Sequence, residues 1–360
     1  MDFKPSNKVS ELCHKLQSFM KARILPVEDE FRNYMATTSN KWETPPLFEK
    51  LKEQARKKGL WNLFLPGDHY GAGLTNLEYA PLAEIMGQVW WAAEIFNCNA
   101  PDTGNMETLV LYGTDTQKVR WLEPLLEGKI RSAFAMTEPD VASSDATNIR
   151  CSIKRDGGDY VINGRKWFTT GAMRESCEIL IVMGKTDPDN PNHHAQQSMV
   201  MVPKNTPGVK IVRHVKTLGY DDAPFGEPEV LFENVRVPVE NILLDEGRIV
   251  QKFGILPGSM PDYLALVGDA ADGIPGVPRW GPKSTSQVLR LYSYLENIPS
   301  SASNWDVLPR GCEIMAANLD ELYDTAVLYK TLTTLRHDAP IHGTLADLKW
   351  RGVQMGEFQR

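Results

Sequence analysis

What this chain of 360 residues has little of already excludes several classes of protein. Its five cysteines, Cys13, Cys98, Cys151, Cys177 and Cys312, are odd in number, scattered and never spaced C-x-x-C, which argues against a disulfide framework or a zinc site. No apolar run approaches the ~20 residues of a membrane span. The opening MDFKPSNKVSELCHKL is charged throughout and lacks the apolar stretch of a secretory signal, so an intracellular, cytoplasmic protein is expected. Basic charge is also in deficit. Lysine and arginine number 29 against 34 acidic residues up to Arg248, and 10 against 12 beyond it. Neither part has the balance of a general nucleic-acid binder, so any DNA contact must be local. The pair His193-His194 sits in the polar run TDPDNPNHHAQQ without partners at metal-ligand spacing, and is expected to be a solvated loop.

What is present is ordinary globular composition, 42% hydrophobic and 24% charged, in a length that suits two or three domains. Val9, Leu12, Leu16, Phe19, Met20 and Ile24 recur at helical spacing, and Pro26 kinks or ends that segment. A second helix is predicted from Pro46 to Gly59. A third, capped by Thr75, carries Leu77, Leu82, Ile85, Met86, Val89 and Trp90, and shorter helices end at Gly113 and Gly128. The period then changes to two. Ile149, Cys151 and Ile153 alternate, and turns are predicted at Asp156-Gly157-Gly158 and at Asn163-Gly164. Further short strands follow in EILIVMGK, SMVMVPK, GVKIVRH and EVLFENVRVP, so residues 131 to about 242 should form an antiparallel β-domain. Beyond them the pattern is helical again over 283 to 295 and 313 to 335.

Two stretches carry chemistry. In AFAMTEPDVASSDATN, residues 133 to 148, a strand ends in small hydroxyl and acidic groups that let main-chain N–H groups approach a polar ring or phosphate, although surface turns share this composition. In GRKWFTTGA, Trp167 and Phe168 stand beside Thr169 and Thr170, either as core-filling aromatics of a strand or as rings stacked on a flat heterocycle whose edge a hydroxyl bonds. With the helical block before them and FENVRVPVENILLDEGR after them, these motifs resemble the acyl-CoA dehydrogenase family over residues 1 to 248, and EPDVASSDATN looks like the subgroup acting on longer or unusual acyl-CoAs. The resemblance implies FAD as cofactor, an acyl-CoA as partner, and an α,β-dehydrogenation in which a carboxylate removes the α-proton. It places Thr137 at the flavin pyrimidine edge with Met136 also in the cofactor site, Thr170 at flavin N5, Phe168 with its neighbour Trp167 against the ring, and Ser144 near the CoA, with Asp145 fixing the loop.

The segment PDYLALVGDAADGIPGVPRWGPKSTSQVL, residues 261 to 289, is the second. Asp269 and Asp272 can share one side of a helical turn and bind Mg²⁺ through oxygen, or simply form an exposed acidic turn. A phosphate-binding Walker loop is excluded because Pro282 separates Gly281 from Lys283. A hairpin of two helices fits better, with Gly276 to Gly281 leaving N–H groups for a DNA phosphate and Lys283 adding charge. With YLENIP and KTLTTLRHD, the stretch is similar to the 5'-nuclease family over residues 249 to 360, and GDAADGIPG corresponds to that family's last two metal-binding aspartates.

The expected architecture is therefore α+β and multidomain: an N-terminal helical domain (1–130), an antiparallel β-domain (131–248) and a helix-hairpin-helix segment from an unrelated family (249–360). The dehydrogenase family's general base lies in a C-terminal helical domain whose pattern is not found after Arg248, so no catalytic residue is assigned. The 5'-nucleases need further carboxylates that are not found upstream. No Gly/Ser or Pro-rich linker marks the join in DEGRIVQKFG. A chimera with weak or absent FAD binding, two incomplete sites and doubtful homo-oligomerisation is expected. A DNA-binding exonuclease-like module and a non-functional hybrid remain as alternatives.

Overall fold

The structure, a computed structural model, describes residues 5–67, 69–269 and 273–334. Among these residues there are two compact units, one made of those up to 259 with 269 and 273, the other of residues 260–268 with 274–334.

The first unit opens with helix α1 (Asn7–Phe19), capped by the Ser6 hydroxyl, which accepts from the Val9 N–H. A π-helical turn (Met20–Ile24) and a 3-10 turn holding Pro26 lead into α2 (Glu28–Thr37), so the proline bends this segment where the sequence predicts. Helix α3 (Pro46–Lys57) starts on its proline and ends before Gly59 at φ +69°. Helix α4 (Asn76–Met86) is closed by a reciprocal capping box between Thr75 and Glu78, and stops short of Val89 and Trp90. Shorter helices α5 (Ala92–Ile95), α6 (Asp102–Tyr112), α7 (Asp115–Gln117) and α8 (Glu123–Leu126) complete this layer.

Eight strands follow among the described residues: β1 (Arg131–Ala135), β2 (Ser152–Asp156), β3 (Asp159–Lys166), β4 (Cys177–Lys185), β5 (Gln197–Pro203), β6 (Val209–His214), β7 (Pro228–Pro238) and β8 (Ile242–Leu244). The order is β6-β7-β3-β2-β4-β5-β8, with β1 beside β4. The sheet is mixed, which corrects the expectation of an antiparallel domain. β1 runs parallel to β4, Ser132 opposite Ile179 through Ala135 opposite Val182, and β2 meets β4 in parallel at Ser152 and Lys185. Parallel pairing needs a long connection, and the whole β2–β3 hairpin lies between β1 and β4 in the chain. Asn163-Gly164 is a second correction. It makes no turn; β3 runs through it with a bulge between Ile162 and Gly164, and only the Gly157 turn joins β2 to β3. The glycine serves close approach instead, since a Cβ there would stand 2.7 Å from Cys151 Cβ.

Alternation along β4 divides the interior in two. Ile179 and Ile181 join the helical core with Leu16, Phe48 and Trp91, while Leu180 and Val182 join Ile153, Ile162 and Phe232 on the other face. A fully buried charge cluster fastens helices to sheet. Glu94 of α5 receives both guanidinium nitrogens of Arg174 (3.0 and 3.1 Å), Arg131 at the head of β1 (2.9 Å) and Lys52 of α3 (2.8 Å). Asp102 accepts the Ser132 N–H (2.7 Å) and hydroxyl (2.6 Å). The start of β1 is thereby fixed, and with it the loop that β1 delivers.

Helix α9 (Glu246–Phe253) runs through Arg248, so the point where the sequence pattern changes lies inside a helix. The Lys252 ammonium bonds Leu111 O at the end of α6 and lies 4.3 Å from the Tyr112 ring.

The second unit contains α10 (Met260–Val267), α11 (Pro282–Tyr292), α12 (Cys312–Glu321) and α13 (Tyr323–Leu332). The single helix predicted over 313 to 335 is two, broken at Leu322, whose φ of −108° and ψ of 19° leave the helical range. Leu266, Val277, Val288 and Leu319 are buried, and Trp280 Nε1 donates to Met315 O at 2.9 Å. Of the two aspartates in the acidic turn, Asp269 is described, whereas Asp272 lies outside the described residues.

Candidate functional site

β1 and β3 end side by side, and their exits are tied together. The Thr137 hydroxyl donates to Trp167 O (2.9 Å), and the Trp167 N–H donates to Thr137 O (3.0 Å). Two segments thirty positions apart in sequence thus form one ledge. Beneath it, the buried Lys166 ammonium bonds Met136 O (2.7 Å) and the Glu138 carboxylate (2.9 Å). That carboxylate also accepts the N–H groups of Arg150 (2.8 Å) and Cys151 (2.9 Å). A lysine and a glutamate at 0% and 4% exposure are tolerable only because each is paired and hydrogen-bonded.

Just past the ledge the backbone at Phe168 turns to φ +47°, which leaves its ring 38% exposed and 4.8 Å from the Trp167 ring, itself half-buried. Thr169 is wholly buried, so of the two threonines Thr170 is the one near the surface. The Thr170 hydroxyl donates to Glu227 at 3.2 Å. Burial pushes the Glu227 carboxyl above its ordinary range against the bond from Thr170, and Asp222 adds to the rise. Met136 packs against the sheet core. In the following loop, Ser143 closes the turn by accepting from the Glu138 N–H (2.6 Å), Ser144 is exposed, and Asp145 caps a short 3-10 turn through the Thr147 N–H (2.9 Å) and hydroxyl (2.7 Å). The structure therefore gathers Met136, Thr137, Trp167, Phe168 and Thr170, while Ser144 stands out on the loop.

Reading the sequence missed Lys166, Glu138 and Glu227. Lys166 and Glu138 belong to quoted motifs, and the only signal was a charged residue of each sign next to β-branched and aromatic neighbours. Glu227 gave none, since its pairing with Thr170 spans 57 positions.

In the second unit, Gly276 at φ +74° is buried against the end of α10, where a Cβ would stand 2.6 Å from Gly268 N. Close packing explains this glycine. Gly281 precedes α11, whose first turn starts with Pro282 and has no side-chain cap, and Lys283 there is exposed. Asp269 groups with the first unit, and among the described residues no three His, Cys, Asp or Glu side chains are placed to hold a metal ion.

Comparison with known proteins follows this division. Residues 7–129 match the acyl-CoA dehydrogenase N-terminal domain and residues 133–235 the acyl-CoA dehydrogenase middle domain. Residues 255–356 match the 5'-3' exonuclease C-terminal SAM fold. Acyl-CoA dehydrogenase family member 11 of Gallus gallus is 52% identical over 274 residues, 74% of this chain and 35% of that protein. Family member 10 of Mus musculus is 51% identical over 270 residues, 73% of this chain and 25% of its own length. The chain thus spans about a third or less of these relatives. A solved structure from Mycobacterium abscessus, described as an acyl-CoA dehydrogenase, is 39% identical with a TM-score of 0.64, covering 92% of this chain and 80% of that one. No described helix is long and apolar enough to cross a membrane. On the strength of its two matched domains and of these relatives, the chain belongs to the acyl-CoA dehydrogenase family.

Proposed function

We propose that residues 1–130 and 131–248 are the helical and β-domains of an acyl-CoA dehydrogenase-type module that holds FAD weakly, and that residues 249–360 are a 5'-nuclease-type segment joined to it in a chimera. The observation that carries this reading is the two-way hydrogen bond between Thr137 and Trp167. It sets a hydroxyl, an exposed aromatic ring and a second hydroxyl at one edge of the sheet, a donor set that suits the polar edge and flat face of a flavin. Met136, Thr137, Trp167, Phe168 and Thr170 would hold the ring system, with Ser144 toward an acyl-CoA. FAD, when bound, would supply the acceptor for the β-hydride of the thioester.

The chain's own residues orient this edge. Lys166 and Glu138 fix the ledge from below, and the Thr137 hydroxyl, its proton committed to Trp167 O, offers lone pairs outward. Removal of the α-proton needs a carboxylate within hydrogen-bond reach of it, and the segment after Arg248 follows another family's pattern. Steady dehydrogenation is therefore not expected, nor is self-association through the family's helical domain. Incubation of the FAD-supplemented protein with acyl-CoA and an electron-accepting dye should leave the dye unreduced, and sustained dye reduction would contradict the reading.

A second reading is favoured by one feature, the uncapped N-terminus of α11 with Lys283 exposed beside it. It suits a DNA backbone phosphate. Association with branched DNA should weaken as salt rises, and an affinity independent of salt would exclude phosphate contact. Mg²⁺ at Asp269 and Asp272 belongs to this reading.

A further inference from the structure

The direction of the bond that Glu227 accepts decides what the Thr170 hydroxyl can offer elsewhere. The Thr170 hydroxyl donates to the Glu227 carboxyl group at 3.2 Å, so its proton is committed to that bond. What the hydroxyl then presents on its other side is a lone pair. The pairing is held from both flanks: the Thr169 N–H donates to Pro228 O (3.2 Å) and the Gly171 N–H donates to Gly226 O (3.0 Å), so that Thr170 and Glu227 are kept abreast between two main-chain bonds. Both side chains are half-buried, which weakens competition from water for the bond.

We infer that Glu227 is a positioning residue that fixes Thr170 as a hydrogen-bond acceptor toward the proposed flavin site, so that the site holds reduced flavin more tightly than oxidised flavin. This rests on the proposed flavin site with Thr170 at N5. The chemistry is simple: N5 of the reduced ring carries a hydrogen to donate, whereas N5 of the oxidised ring is a bare acceptor that meets the lone pair of Thr170 unfavourably. One hydrogen bond gained in one redox form and lost in the other changes relative affinity by about tenfold.

The test is a pair of titrations, with FAD and with chemically reduced FAD under nitrogen, followed by quenching of tryptophan fluorescence. Glu227→Gln keeps the shape but adds a donor that can point at Thr170 and release its proton toward the flavin site. The ratio of oxidised to reduced dissociation constants should fall about tenfold in Glu227→Gln, which corresponds to a two-electron potential lower by about 30 mV. Glu227→Asp, which can still only accept, should recover part of the ratio, an outcome a merely structural role would not give. In a Thr170→Val background, exchanging Glu227 for Gln should change nothing. If FAD binds and the ratio is the same in the wild type and Glu227→Gln, this inference is wrong and the flavin reading stands. If neither form of FAD binds to any of these proteins, both fall.

Discussion

The two units bury charge in different ways. In the first, Glu94 is fully enclosed and faces cations from three separate elements, Lys52, Arg131 and Arg174. In the second, Asp262 is equally enclosed but meets one lysine, Lys330, at 2.8 Å, and that lysine is 22% exposed and shared with Glu296 on the surface. The Asp262 carboxylate otherwise accepts the Leu295 N–H (2.7 Å). The first arrangement ties helices to a sheet, and removing its centre would leave Arg174 without its carboxylate and the buried Lys52 and Arg131 with only Glu49 and Asp102 as ion-pair partners. The second is a clasp with one arm in water. The Thr137–Trp167 ledge is assembled on the sheet that the first arrangement anchors, so its geometry should outlast perturbations that loosen the second unit.

The largest effect is expected of Glu94→Gln. Loss of the central carboxylate should cost about 3–5 kcal/mol in urea unfolding, and a cost below that of Lys330→Met would reverse the ranking of the two units. A pH dependence follows. Burial alone would raise the Glu94 pKa, but Arg131, Arg174 and Lys52 outweigh it and hold the group well below its ordinary 4.5. A depressed carboxylate contributes its full stability above the unfolded value and loses it as pH falls through the folded one. The wild type should therefore lose stability on acidification below pH 4.5 more steeply than Glu94→Gln, and parallel profiles would argue against the ion cluster.

Lys330→Met comes next, with an expected loss of about 1–3 kcal/mol, since Asp262 keeps its main-chain donor when the ammonium goes. Differential unfolding of the second unit, read by the fluorescence of Trp280 and Trp305, would show it. The smallest effect is expected of Lys283→Gln. It should leave stability unchanged and reduce the salt slope of DNA association by about 1, and an unchanged slope would remove Lys283 from any phosphate contact.

The parts of this fold that were legible in the sequence are those decided within a few residues. Thr75 with Glu78, Gly59 after α3, Pro26 between α1 and α2, and the Asp156-Gly157-Gly158 turn are local devices, and each stands where its neighbours demand. Asn163-Gly164 has the same local signature as a hairpin turn, yet the approach of Cys151 and the pairing of Asn163 Oδ1 with the Asn234 N–H (2.8 Å) settle it as a bulge. The parallel pairing of β1 with β4 is equally non-local. Of the candidate site, the residue types were visible but their juxtaposition was not, because the Thr137–Trp167 and Thr170–Glu227 bonds join distant segments. Glu94 could have been found. In WAAEIFN it is the one charge within an apolar run, a placement that implies a buried partner.

The central claim is that the ledge formed by Thr137 and Trp167 is where a flavin sits, and amide hydrogen exchange with and without saturating FAD tests it most directly. Protection should appear in residues 136–138 and 167–171 and leave residues 274–292 of the second unit unchanged. Protection confined to the second unit, or none at the ledge while FAD is bound, would contradict it.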